Sequence, residues 1–133
     1  MHLITIDFES FYSSDYTLSK MTTEEYIRDP RFEAIMMGYK TDDDEPGYAI
    51  GDANIREVLA TLDIGHNALL CHHAQFDGLI LAHHFNRAPK LWFDTLSMAR
   101  ALHGTEVGGS LGRTPCALPS WGYQGHLCAG REG

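Results

Sequence analysis

The chain has 133 residues, of which 44% are hydrophobic and 21% charged, and a formal net charge of −8. This length holds one domain at most and can bury a core without disulfides or a structural metal. There is no apolar run of the roughly 18 residues a membrane helix needs, the acidic balance argues against gripping phosphate by charge alone, and three cysteines (Cys71, Cys116, Cys128) give no disulfide framework.

The first element is a strand over Leu3–Phe8, where Ile4 and Ile6 flank Thr5. The N-terminus lacks a basic start followed by a long apolar stretch, so no signal peptide and a cytoplasmic location are expected. Residues 13–26 are polar, with Thr22-Thr23-Glu24-Glu25 as a helix start, and Asp29-Pro30 marks a turn. Phe32–Tyr39 and Gly47–Ile50 read as two strands of a hairpin around a solvated acidic turn, Asp42–Pro46.

Asn54–Leu62 carries Ile55, Val58, Leu59 and Leu62 at helical spacing, and Gly65 is expected to end that helix. Ala68–His72 is a buried strand, and Gln75–Phe85 a helix with Phe76, Leu79 and Ile80 on one face, stopped by Pro89. Leu91–Phe93 is a further strand. Asp94 or Thr95 then caps a helix that turns Leu96, Ala99 and Leu102 inward. This order predicts an α/β fold: a mixed sheet with helices on its faces.

From Gly112 onward there is one acidic residue, against 17 before it, with two cysteines, five glycines and two prolines. Residues 112–133 are therefore expected to be an irregular tail, read out of frame, behind a domain spanning residues 1–111. Reading the encoding DNA in the other two frames after the Leu111 codon tests this.

The chemistry lies in three acidic features. Asp7 and Glu9 are two apart on a strand, so their carboxylates share a face and repel unless cations offset them. Asp77 falls in the first turn of a helix, where the helix dipole favours an acid for purely structural reasons. Asp94 is equally a helix cap or a residue near the site. Each lies at or just past the C-terminal end of a strand, where open α/β sheets form their ligand crevice. Converged, Asp7, Glu9 and Asp77 would suit Mg²⁺ or Mn²⁺, hard cations that prefer oxygen ligands.

The histidine pairs His72-His73 and His83-His84 flank one helix, about 16 Å apart along its axis, too far to share one zinc ion. Asp42-Asp43-Asp44-Glu45 lacks the spacing of a calcium loop. Phe11, Tyr12 and Tyr16 could stack on bases, with core packing as the plainer use.

Ile4–Ser10, Phe76–Leu81 and Asp94–Arg100, in that order, resemble the DEDD (DnaQ-like) 3′→5′ exonuclease superfamily, and within it the exonuclease domain at the front of phage-encoded family-A DNA polymerases. Leu18–Tyr26, Pro30–Glu33, Ala101–Gly104 and Gly108–Leu111 extend the resemblance across residues 3–111. It implies an RNase H-like sheet, two Mg²⁺ or Mn²⁺ ions held by Asp7, Glu9 and Asp77, and hydrolysis from a single-stranded or frayed DNA 3′ end. It also places Ser10 near the 3′-terminal nucleotide.

Two departures stand out. His73 occupies a position where the family usually has Asn, and as a substrate-binding residue it would donate differently. The family's third motif, Tyr or His followed four residues later by Asp, should lie beyond residue 111, yet no Asp follows Asp94. The C-terminal part of the fold and the polymerase domain are therefore expected to be missing and activity impaired. The competing reading is an inactive remnant that binds metal or nucleic acid without turnover; a weaker one is an RNA-directed member of the superfamily.

Overall fold

The structure, a computed structural model, describes residues 1–104; the tail expected over residues 112–133 lies outside them. Strand β1 (Leu3–Ser10) is followed by helix α1 (Thr23–Arg28), β2 (Ala34–Thr41), β3 (Gly47–Ile50) and α2 (Asp52–Leu62). After a 3-10 turn over Ile64–His66 come β4 (Ala68–Cys71), α3 (Ala74–Phe85), β5 (Leu91–Asp94) and α4 (Thr95–His103).

The five strands form one sheet in the order β3-β2-β1-β4-β5. The β1–β2 and β2–β3 pairs are antiparallel, and the β1–β4 and β4–β5 pairs are parallel. This is the expected α/β mixed sheet with flanking helices, an arrangement consistent with an RNase H-like fold. Among the described residues no helix is long and apolar enough to cross a membrane.

Alternation along β1 sorts the two faces. Ile4, Ile6 and Phe8 are buried, and with Met37, Ala49, Leu69 and Cys71 from neighbouring strands they form the core face. Ile55 and Leu59 of α2, Ile80, Leu81 and Phe85 of α3, and Tyr26 and Ile27 of α1 close over it. The Phe8 and Phe85 rings stack at 5.8 Å. Full burial of side chains of this size stabilises by about 2 kcal/mol each. β4 is buried along its whole length, as a central parallel strand must be.

Local chemistry sets the ends of the elements. Thr22 caps α1 in a reciprocal box with Glu25, satisfying two otherwise unpaired N–H groups. Tyr16, expected in the core, is fully buried, stacks on Tyr26 at 4.4 Å and donates its hydroxyl to the Tyr26 carbonyl. Tyr12 is exposed.

Two expectations need correction. Gly65 does not end α2: Asp63 does, in a left-handed conformation (φ 48°), and Gly65 falls inside the following 3-10 turn. The Asn67 side chain donates to the Leu62 and Asp63 carbonyls and so replaces a glycine stop. Leu102 does not face inward. It is 70% exposed, because six residues after Leu96 a helix has turned about 120° away from that face. The acidic turn also does more than meet solvent: Asp42 accepts from the Leu3 N–H and pairs with His2, pinning the start of β1.

Candidate metal-binding acidic crevice

β1 is eight residues long, but β4 accompanies it only from Leu3 to Thr5. Backbone groups alternate in direction along β1. The His2 carbonyl accepts from Ala68 at the head of β4, whereas the Leu3 carbonyl accepts from Asp42 on the β2 side. Even-numbered residues therefore point toward β4, and beyond Thr5 their partners must come from elsewhere. At Phe8 the partner is Asp77: the Phe8 N–H donates to Asp77 Oδ1 at 3.1 Å.

Asp77 is brought there by the β4–α3 turn. His72 and His73 reverse the chain, with His73 in the left-handed region (φ 74°, ψ 65°), where histidine is tolerated better than most residues. α3 then rises against the core face, and its first turn delivers Asp77 to the gap beside β1. The residue is 2% exposed. Gly78, the next residue, is a glycine because a Cβ would strike the Trp92 ring at 2.7 Å.

Asp7 lies on the face opposite the core and retains solvent contact. Its carboxyl is nonetheless held above the usual range by surrounding protein, partly countered by the His72 imidazole. Asp77 is pushed up to about 8, first by burial and then by the charges of Asp7 and Asp94, against the Phe8 N–H, which favours ionisation. The Cys71 thiol at the end of β4 is also driven up, by burial and then by Asp77, Asp94 and Asp7. Asp94 is the in-register partner of Cys71 on β5.

Glu9 is exposed on the same face as Asp7, and the charges that bear on Asp77 are those of Asp7 and Asp94. Among the described residues no three His, Cys, Asp or Glu side chains gather into a ready-made metal cage.

Asp94 caps α4. One carboxylate oxygen accepts from Leu96 N–H and also from His73 N–H, each at 2.9 Å. Burial opposes its ionisation, but backbone donation from His73, Leu96 and Ala74, with the Ser97 hydroxyl, holds it below the ordinary range. Asp94 is therefore ionised and ties the end of β5 to the turn that precedes Asp77. Ser10 places its hydroxyl 2.8 Å from the Tyr26 hydroxyl, which also donates to the Phe11 carbonyl. The His73 side chain makes no capping bond to α3.

Sequence reasoning missed the tie from Asp77 to Phe8 and the role of Tyr26. The first had no sequence signal, since it joins residues 69 apart. The second had a weak one, an aromatic in a helix that follows a capping box.

The fold and site define an α/β mixed-sheet chain with Asp7 and Glu9 on a central strand and a buried Asp77 fixed beside it. No family model matches the chain, and no solved structure matches it. The chain is 33% identical over 113 residues to a DNA polymerase of Bacillus phage SP02, an alignment covering 81% of this chain and 16% of that polymerase. It is thus similar to part of a phage DNA polymerase and spans about a sixth of that relative's length.

Proposed function

We propose that this chain carries the front part of a 3′→5′ exonuclease domain of a phage-type DNA polymerase, of the DEDD kind its motifs resemble. The observation that carries this reading is the buried Asp77 carboxylate fixed on the Phe8 backbone, between Asp7 and Glu9 in sequence. A stray helix-start acid would face solvent; this one is held against the strand that bears the other two.

The donor set fits Mg²⁺ or Mn²⁺. Asp7 and Asp77 offer only oxygen, and the protein around Asp7 and the burial of Asp77 both disfavour ionisation, so a divalent cation would offset the charge they carry when ionised. Asp7, Glu9 and Asp77 would hold it. When bound, a pair of such ions activates a water and stabilises the leaving 3′ oxygen of a phosphodiester.

The residues of the chain do the positioning. Phe8 N–H fixes one Asp77 oxygen. Asp94 fixes the turn before it. Tyr26 holds the Ser10 hydroxyl at the strand end where a 3′-terminal sugar would lie. His73, in the turn before α3, would donate to sugar or phosphate.

The fourth Asp that the resemblance implies has no counterpart after Asp94 within these 133 residues, so this stretch by itself should turn over slowly. That same observation favours a second reading, in which the chain binds metal or DNA without cleaving it. A 5′-labelled single strand incubated with Mg²⁺ or Mn²⁺ separates the two. Metal-dependent shortening that Asp7→Ala abolishes supports the exonuclease. Retained binding with no shortening at micromolar protein supports the remnant.

A further inference from the structure

The strand register sets two rows of side chains across the face that carries Asp7 and Glu9. Asp7 pairs with Gly38 on β2, and Gly38 pairs with Tyr48 on β3. Glu9 pairs with Met36, and Met36 with Ile50. Partners in register share a face, and each step across the sheet is about 5 Å. Tyr48 thus stands two strands from Asp7, with only a glycine between them.

Packing does not demand that glycine. A Cβ at Gly38 would meet only the Asp7 carbonyl oxygen, at 3.8 Å, an ordinary contact. Nor does the backbone, since Gly38 is not among the residues at positive φ. A strand interior loses stability at glycine, and such a glycine often marks a bulge, a bend or a place where a ligand approaches the backbone closely; Gly38 lies in unbroken register with both neighbours, at Asp7 and Tyr48. Beside it, Tyr48 is 69% exposed and Ile50 58% exposed, on an antiparallel edge where a polar residue would be the ordinary choice.

We infer that Gly38 and Tyr48 form a shelf for the sugar and base of the DNA strand whose terminal phosphodiester lies at Asp7. The bare backbone at Gly38 lets the nucleotide lie flat, and the Tyr48 ring supplies a stacking surface indifferent to base identity. Met36 and Ile50 border the shelf on the Glu9 side. The occupant is a nucleotide rather than a protein because the shelf is continuous with the acids, and a phosphate held there leaves its own base within reach of the ring. This inference rests on the exonuclease reading and names how that site would grip its substrate.

The test uses the full chain and a single-stranded oligodeoxynucleotide ending in 2-aminopurine, whose fluorescence falls on stacking. Binding is read with Ca²⁺ and cleavage with Mg²⁺. Wild type should quench the probe. Tyr48→Ala should lose most of the quench and weaken binding about tenfold, while Tyr48→Phe retains both. Gly38→Val should fold with a Tm at or above that of wild type, because valine suits a strand better than glycine, yet lose binding by filling the shelf. Should Gly38→Val fail to fold, the two Tyr48 variants decide the matter. A wild type that shortens DNA, with Tyr48→Ala and Gly38→Val indistinguishable from it, overturns the shelf and leaves the exonuclease reading standing. A wild type that neither binds nor shortens DNA overturns both.

Discussion

The Phe8 N–H and the Asp77 carboxylate meet at 3.1 Å across 69 residues of chain, and this one bond joins the strand that bears Asp7 and Glu9 to the helix that bears the third acid. Its energetic consequence is directly measurable, because Asp77 is 2% exposed and its pKa is pushed up to about 8.

In metal-free protein the folded state therefore holds a proton on Asp77 between about pH 4 and pH 8, where the unfolded chain has released it. The folded state binds more protons across that window, so stability falls as pH rises, by up to about 1.4 kcal/mol per unit. Urea melts in EDTA from pH 5 to pH 8 should show this slope. Asp77→Asn should flatten it and make the metal-free protein more stable than wild type at pH 8. A wild-type slope of zero would remove the case for a charge-starved site.

Added Mg²⁺ or Mn²⁺ should reverse the order. A ligand bound only by the folded state raises stability by about 2.7 kcal/mol at a concentration one hundred times its Kd. Wild type should gain Tm with Mn²⁺, whereas Asp7→Ala and Asp77→Asn should gain none. Equal shifts in all three would place the metal elsewhere.

Asp94→Ala removes the α4 cap and the tie to His73 N–H together. The loss should be about 2 kcal/mol in urea denaturation, with Asp94→Asn retaining part of it because an amide oxygen still accepts. Hydrogen exchange at the His73 amide should accelerate in Asp94→Ala; an unchanged rate would show that the tie is idle.

His73 occupies the left-handed region just before α3. His73→Asn should keep stability within about 0.5 kcal/mol, since asparagine also tolerates that conformation. His73→Val should cost about 1–2 kcal/mol, because branching at Cβ worsens the clash with backbone. Thermal melts read both, and a neutral valine would contradict the assigned backbone.

Tyr26→Phe deletes the hydroxyl that pairs with Ser10 and donates to the Phe11 carbonyl. It should lower stability by about 1 kcal/mol and loosen the end of β1. If the exonuclease reading holds, it should lower cleavage more than metal binding. Equal loss of both would assign Tyr26 a purely structural role.

Much of the fold could be read from the sequence because its signals are local. The Ile4, Ile6, Phe8 alternation marks one face of β1; Thr22 and Glu25 mark a helix start; the apolar run at Ala68 marks a buried strand. Asp7, Glu9, Asp77 and Asp94 all stood out as acids at strand ends. The cap at Asp94 was legible as one of two readings of that residue. The anchoring of Asp77 on the Phe8 N–H was not, because it depends on how far β4 runs beside β1. The exposure of Leu102 and the stop at Asp63 were hidden for related reasons: one needs the helix phase counted from its true first contact, the other a side chain four residues away.

Because β4 stops at Cys71 while β1 continues to Ser10, the carboxylate of Asp77 occupies the slot where another strand carbonyl would ordinarily sit. Two more residues of parallel pairing would satisfy the Phe8 N–H from the neighbouring strand and push α3 outward, giving a better sheet with no crevice. The brevity of a single strand is thus what converts an edge of unfinished backbone into a seat for an acid, and lengthening it would erase the site without touching any of its carboxylates.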